Sequence, residues 1–276
     1  MKIRYTIATL AASSLVTHAT TLIQYGFDFT SGTVASQNGG VVTDDSGNAH
    51  HGGVKFNTPV YSSNIPTGTQ NVTGVGSLDV SGGHHTIAST QNDSDIFSIS
   101  EMVANGGLTV EVWANQSNSG NGGNAKIIAI GGAFDIEMDS TGISTFVNSS
   151  GNGVASFTNA LADRAGTWMH VAAVIDNFVV DGGSHDFDLK LYINGTLQDS
   201  VAYNDVTPSF ALGRQIGIGS QAHSGSGDFR YDGLIYEPRI SYGAVAPADF
   251  TIVVPEPASS VFLGLGGLAL ILRRRK

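Results

Sequence analysis

The sequence predicts an all-β protein built as two antiparallel sheets packed face to face. Three observations point there. Gly contributes 36 of 276 residues while Lys and Arg together contribute 13, a composition suited to turns and strands rather than helical bundles. Short runs of alternating apolar and polar residues recur between Gly- and Asn-rich turns. Residues 166–197, GTWMHVAAVID and later LKLYINGTL, read as two paired strands. In the first, Trp168, His170, Ala172 and Val174 face opposite Met169, Val171, Ala173 and Ile175. Both faces are apolar, as in a central strand buried on both sides. In the second, Leu189, Leu191 and Ile193 share one face, and Lys190 and Tyr192 the other. Asn194-Gly195 marks a tight hairpin after it, and a long polar turn is expected between the two strands.

The other elements follow in chain order. Leu22–Phe29 alternates Tyr25, Phe27 and Phe29 against Gly26 and Asp28, a strand. Residues 43–53 (TDDSGNAHHGG) form a turn-rich loop. Residues 77–88 read as a strand, a Gly-Gly turn and a return strand, and 96–104 as a short helical turn. Leu108–Ala114 is a strand with Leu108, Val110 and Val112 on one face and Glu111 and Trp113 on the other. Trp113 is either a core side chain or a platform for a sugar ring, with burial the commoner fate of Trp. Residues 126–139 give two strands, and 146–152, 154–157, 200–203, 215–218 and 231–241 give more.

The pattern G-T-W-x-H-V-A-x-x-x-D over residues 166–176, followed by L-x-L-Y-x-N-G over 189–195, resembles the laminin-G/concanavalin A-like jelly-roll family, in its LamG-like branch. The resemblance spans roughly residues 22–243. It implies a two-sheet antiparallel jelly roll. It leaves function open, because lectins, adhesion modules and glycosidases share this sandwich. In the family a D-x-S-G-N element often binds calcium. Here Asp44-Asp45-Ser46-Gly47-Asn48 occupies it, so the resemblance implies Ca²⁺ held by Asp45 and Asn48. The family's acidic ligand on the last strand falls on Tyr236, while Glu237 and Arg239 keep their places. The alternative is that Asp45 and Asn48 only hydrogen-bond their own turn.

Both ends carry targeting signals. Residues 1–19 join Lys2 and Arg4 to a short apolar run and the small residues around Ala19, as in a secretory leader cut after Ala19. At the other end, 247–254 is expected to be a linker. Beyond it stand Pro255-Glu256-Pro257, an uncharged stretch from Ala258 to Leu272, and the basic cluster Arg273, Arg274, Arg275 and Lys276. Fifteen uncharged residues are fewer than the ~20 of a stable span, and the basic end is held on the cytoplasmic side. The three parts, in this order, resemble the PEP-CTERM sorting signal. That resemblance implies a transient membrane anchor, processing by an exosortase-type membrane protease, and display at the cell surface or in the extracellular matrix. The alternative is a permanent anchor.

Setting both ends aside leaves seven basic residues against 22 acidic ones, a net charge of about −15. Such a body repels phosphate backbones and argues against nucleic-acid binding. Asp135, Glu137 and Asp139 alternate along one strand. Two carboxylates roughly 5 Å apart serve retaining glycosidases, so the trio is either catalytic or a solvent-facing acidic edge. The paired His50-His51 and His84-His85 lack zinc-site spacing. Polar loops around Asn118, Asp186 and Ser224 are the candidate rim of a ligand site. The reading is a non-catalytic, exported protein that binds extracellular polysaccharide or a matrix protein. A glycoside hydrolase and a purely structural matrix protein are the alternatives.

Overall fold

The computed structural model describes residues 19–252 apart from 83–85, 92–95, 118–123, 132, 149–152, 208–214 and 222–228. Residues 1–18 of the expected leader, Asn118, His84-His85, Ser224 and the tail, with Pro255, Glu256, Pro257, Arg273, Arg274 and Arg275, lie outside the described residues.

Sixteen strands are described: β1 (Thr20–Gln24), β2 (Val41–Val42), β3 (Gly52–Phe56), β4 (Val60–Ser62), β5 (Ser77–Asp79), β6 (Thr86–Ser89), β7 (Gly107–Gln116), β8 (Lys126–Ile130), β9 (Phe134–Met138), β10 (Gly142–Val147), β11 (Val154–Thr158), β12 (Trp168–Asp181), β13 (Ser184–Ile193), β14 (Thr196–Val206), β15 (Ile216–Ile218) and β16 (Gly233–Tyr242). Two short helices, α1 (Ile99–Asn105) and α2 (Leu161–Arg164), join them. The first sheet runs β14-β13-β12-β7-β16-β5-β4, with β1 also paired to β16. The second runs β11-β10-β9-β8-β15-β6-β3-β2. All the strand pairs between named strands are antiparallel, as the jelly-roll reading requires.

The predicted central pair is β12 and β13. Val110 and Val112 of β7, Val171 and Ala173 of β12 and Leu189 and Leu191 of β13 point inward and are fully buried. Ile128 and Ile136 meet them from the second sheet. Asn194 (φ 49°) and Gly195 (φ 75°) make the hairpin turn, since a two-residue turn with positive φ at both positions matches the twist of its strands. The long turn between β12 and β13 is not there. Both strands run on past a bulge between Asp176 and Val179, and turn at Gly182-Gly183. Asp186 therefore sits within a strand, where its Oδ1 accepts from the Asp205 N–H, and not on a loop.

Residues 77–88 are also corrected. β5 pairs with β16 and β4 in the first sheet, while β6 pairs with β3 and β15 in the second. The two runs are a crossing between layers and not a hairpin. Leu78 and Ile87 thus reach the same core from opposite sides. The helical turn stands as α1, with Ser98 Oγ accepting from the Glu101 N–H at its start and Gly106 (φ 76°) at its end.

β16 changes partner part-way along. Its first half pairs with β5 and its second half with β1, and the switch falls at a bulge where Glu237 adopts φ 47°. Beside it the chain approaches itself at Gly26 and Gly74: a Cβ on Gly74 would overlap the Gly26 carbonyl. Gly74→Ala is expected to destabilise the fold by about 3 kcal/mol, the upper end of overpacking costs. The melting temperature of the purified variant should fall by roughly 6–12 °C for a domain of this size. A fall under ~2 °C would show that the contact yields.

Candidate functional site

Four polar assemblies interrupt the apolar layers. The most buried lies on the outer face of the first sheet. Glu111 of β7 stands directly across from Ala172 of β12 and Arg239 of β16. One carboxylate oxygen accepts from His170 Nε2 at 2.8 Å and from the Thr251 N–H and hydroxyl at 2.8 and 3.1 Å. The other accepts from Arg239 Nε at 2.7 Å and also meets its terminal nitrogen. Burial alone would raise the Glu111 pKa. The bond and charge of His170, the charge of Arg239 and the Thr251 N–H outweigh it, and hold the carboxyl below its ordinary value. Phe250 lies over His170 with ring centroids 5.4 Å apart, and Trp113 Nε1 donates to the Thr251 carbonyl at 3.1 Å. Phe250, Thr251 and Ile252 are buried. The stretch expected to be a linker from 247 is therefore docked on the sheet as far as Ile252. Trp113 is a buried side chain beneath it and not a sugar platform.

The second assembly is the carboxylate trio, which the structure divides. β9 is an interior strand of the second sheet and not an edge. Asp135 and Glu137 share a face with Lys126, whose Nζ lies 2.6 Å from Asp135 and also bonds Glu137. All three are buried. Phe146 and Phe229 flank the ammonium, with ring centroids 5.0 and 5.3 Å away. Burial, opposed by Lys126, pushes Asp135 up to about 6. Asp139 is apart from them. It turns back to accept from the Thr141 N–H and hydroxyl and the Gly142 N–H. The solvated acidic edge gives way to a Lys clasped by two buried carboxylates, with Asp139 set apart from them.

The third assembly contains the expected calcium residues. Asp44, not Asp45, organises the loop: its carboxylate accepts from the N–H groups of Gln24, Ser46 and His50 and from the Ser46 hydroxyl. Its own N–H donates to His51 Nδ1. Asp45 accepts from the Thr73 hydroxyl at 2.7 Å. Glu237 accepts from the Thr73 and Gly74 N–H groups, from that same hydroxyl and from Gln24 Nε2. Asn48 turns its amide nitrogen to the Thr21 and Leu22 carbonyls at 2.9 and 3.0 Å. A hard cation needs oxygens with free lone pairs aimed at one point. Here the oxygens of Asp44 and Glu237 and one oxygen of Asp45 face N–H and O–H donors, so the set forms a hydrogen-bonded lock. Among the described residues no group of three His, Asp or Glu side chains could hold a metal. Tyr236, at the family's acidic position, is buried and donates to the Gly74 carbonyl.

The fourth is a groove of about 520 Å³ at the end of the first sheet, between the docked segment and the turns around Asn105 and Asn177. Its polar lining includes Asn71, Asn105, Asn177, Ser241 and Asp249.

Residues 81–249 match the concanavalin A-like lectin/glucanases superfamily. The chain belongs to this superfamily. Residues 253–276 match the PEP-CTERM protein-sorting motif, which indicates export and transient membrane anchoring before surface or extracellular localisation, with exosortase processing. Among the described residues no helix is long and apolar enough to cross a membrane.

No curated protein matches the chain. Among solved structures, domain 4 of AbnA, a GH43 extracellular arabinanase from Geobacillus stearothermophilus in complex with arabinotriose, is similar at 18% identity and TM-score 0.53, covering 83% of this chain and 96% of that one. A Trp-to-Ala mutant of HCR D/C VPI 5995 is similar at 13% identity and TM-score 0.51, covering 83% and 50%. The binding domain of Botulinum Neurotoxin DC in complex with SialylT shows 13% identity and TM-score 0.47, covering 83% and 49%. At these identities the likeness concerns the concanavalin A-like fold, which binding domains and hydrolases share.

Lys126, His170, Arg239 and Thr73 were not among the expected site residues. Each partners an expected or conspicuous acid, and Lys126 and His170 are lone polar residues in or beside an apolar run. That mismatch with the strand pattern is the signal that marks them in the sequence.

Two outcomes follow. Glu111→Ala leaves His170, Arg239 and the Thr251 N–H without their acceptor, and should cost roughly 3–5 kcal/mol. Limited proteolysis should then cut within 245–252, where the parent protein resists. Asp135 behaves oppositely to Glu111 in pH. Its pKa is raised on folding, so the native state binds more protons between the ordinary carboxylate value and about 6. Stability from this group therefore falls as pH rises across that window, by about 2–3 kcal/mol in all. Asp135→Asn should flatten the slope of melting temperature against pH between about 4 and 6. An unchanged slope would refute the assignment.

Proposed function

We propose that this is an exported carbohydrate-binding protein, displayed at the surface or in the extracellular matrix, that recognises glycan without cleaving it. The clasp of Lys126 between Asp135 and Glu137 is the observation that supports binding over turnover. A retaining hydrolase needs one carboxylate free to attack the anomeric carbon and another free to protonate the leaving oxygen. Here both are directed at one ammonium, beneath Phe146 and Phe229. The sorting motif supports an extracellular setting, and the similar arabinanase domain, solved with arabinotriose, supports sugar as ligand class. Recognition is read as independent of calcium, because both Glu237 oxygens and one Asp45 oxygen already face protein donors. The partners are then an extracellular polysaccharide and, at the tail, an exosortase-type membrane protease.

The test passes the full-length protein, in detergent, over exopolysaccharide from an organism that makes PEP-CTERM proteins, with calcium or with chelator. Retention in both buffers without release of reducing sugar is the expected result. Release of sugar that Glu137→Gln abolishes would establish the hydrolase instead. Retention lost in chelator would return calcium to the loop at 44–48. No retention in either buffer would leave a structural role.

A further inference from the structure

We infer that the groove beside the docked segment is the glycan subsite, and that it takes one or two rings of an uncharged sugar. This inference rests on the carbohydrate-binding reading above and gives that reading a place and a ligand class. The volume, about 520 Å³, lies within the range of small-molecule sites. The hydrogen-bonding groups of its lining sort into those already used and those left over.

Arg239 is used: Glu111 and the Asp249 carbonyl hold it. Asp176 is used too, by Lys190 and by the Asn177 N–H. Asn105 and Asn177 donate their amide nitrogens to the Glu101 carbonyl and to Asp188, and among the described residues neither amide oxygen has a partner. Among the described residues the side chains of Asn71, Ser241 and Asp249 likewise make no hydrogen bond. The groove therefore presents mainly acceptors (two amide oxygens and the Asp249 carboxylate), with the Asn71 amide and the Ser241 hydroxyl able to donate or accept.

A sugar hydroxyl supplies a donor and an acceptor at one atom, and a ring carries several of them, so it answers such a mixed lining. An anion does not. Among the described lining residues it would meet unpaired acceptors and no free cation. The rest of the surface sharpens that discrimination. Of the described basic residues, Lys126, Arg164 and Arg239 are buried and Lys190 is bonded to Asp176. Lys55 and Arg230 are left exposed on a body of about −15 charge. An anionic glycan is repelled on approach as well as in the groove.

The experiment titrates arabinotriose, xylotriose and cellotriose, and trigalacturonate as the acidic probe, into the full-length protein in detergent, by calorimetry. Ala244 is exposed and lines the groove, so Ala244→Trp fills it from outside. The expected result is binding of at least one neutral trisaccharide, weakened more than tenfold by Ala244→Trp and about three- to tenfold by Asn105→Ala and by Ser241→Ala. Val154→Ala, exposed on the edge of the other sheet, should leave binding unchanged. If Ala244→Trp fails to fold, the two truncations decide the matter. A neutral sugar bound equally by parent and groove variants would overturn the groove and leave the carbohydrate-binding reading standing. Trigalacturonate bound as tightly as the neutral sugars would overturn the ligand class. No binding of these probes, together with no retention on the exopolysaccharide, would overturn both readings.

Discussion

Everything on the outer face of the first sheet depends on one buried carboxylate. A charge taken out of water must be matched by partners at hydrogen-bond distance, or the site is destabilised by several kcal/mol. Glu111 meets this demand with a His from β12, an Arg from β16 and a backbone N–H from the C-terminal segment. The partners come from three separated stretches of sequence. Satisfying the charge therefore fixes strand order, register and the path of residues 245–252 together. Trp113, His170 and Phe250 then stack over the result as a second, smaller core.

The other polar assemblies obey the same rule and differ in outcome. At Asp135 the partner is one Lys shared with Glu137, and Asp135 Oδ1 is buried without a hydrogen bond; the pKa rises. At Glu237 burial also raises the pKa, although four donors from Thr73, Gly74 and Gln24 converge on it. At Glu111 the His170 bond, the Arg239 charge and the Thr251 N–H win and the pKa falls. The sign of each shift thus follows from whether cationic donors or desolvation dominates.

Much of the fold was legible because strand periodicity reports burial directly. The faces of β7 and β12 were assigned correctly from alternation alone, and Asn194-Gly195 placed its turn. Layer membership was harder. β5 and β6 look like a hairpin because each alternates properly, yet sequence does not state which sheet a short strand joins. The candidate site was less legible still. Asp135 and Glu137 were visible as a same-face pair, but their environment depends on Lys126, which lies across a bulged pairing that no local pattern announces. Asp45 drew attention by its motif while Asp44, its neighbour, carries most of the loop's hydrogen bonds. Asn71, Asn105, Asn177 and Ser241 are ordinary loop or strand residues until tertiary structure gathers them.

The pairing of β1 with β16 has a consequence for the order of events during export. The first strand of the body finds its neighbour only when residues 239–242 have crossed the membrane, and the outer face is sealed only when Thr251 follows. Contacts this distant in sequence form late. The last contact of the outer face thus comes from a residue with only six others between it and the uncharged stretch that begins at Ala258. A body that ends short of Thr251 keeps Glu111 buried without one of its donors, so the last residues before the sorting motif are also the ones that complete the outer face.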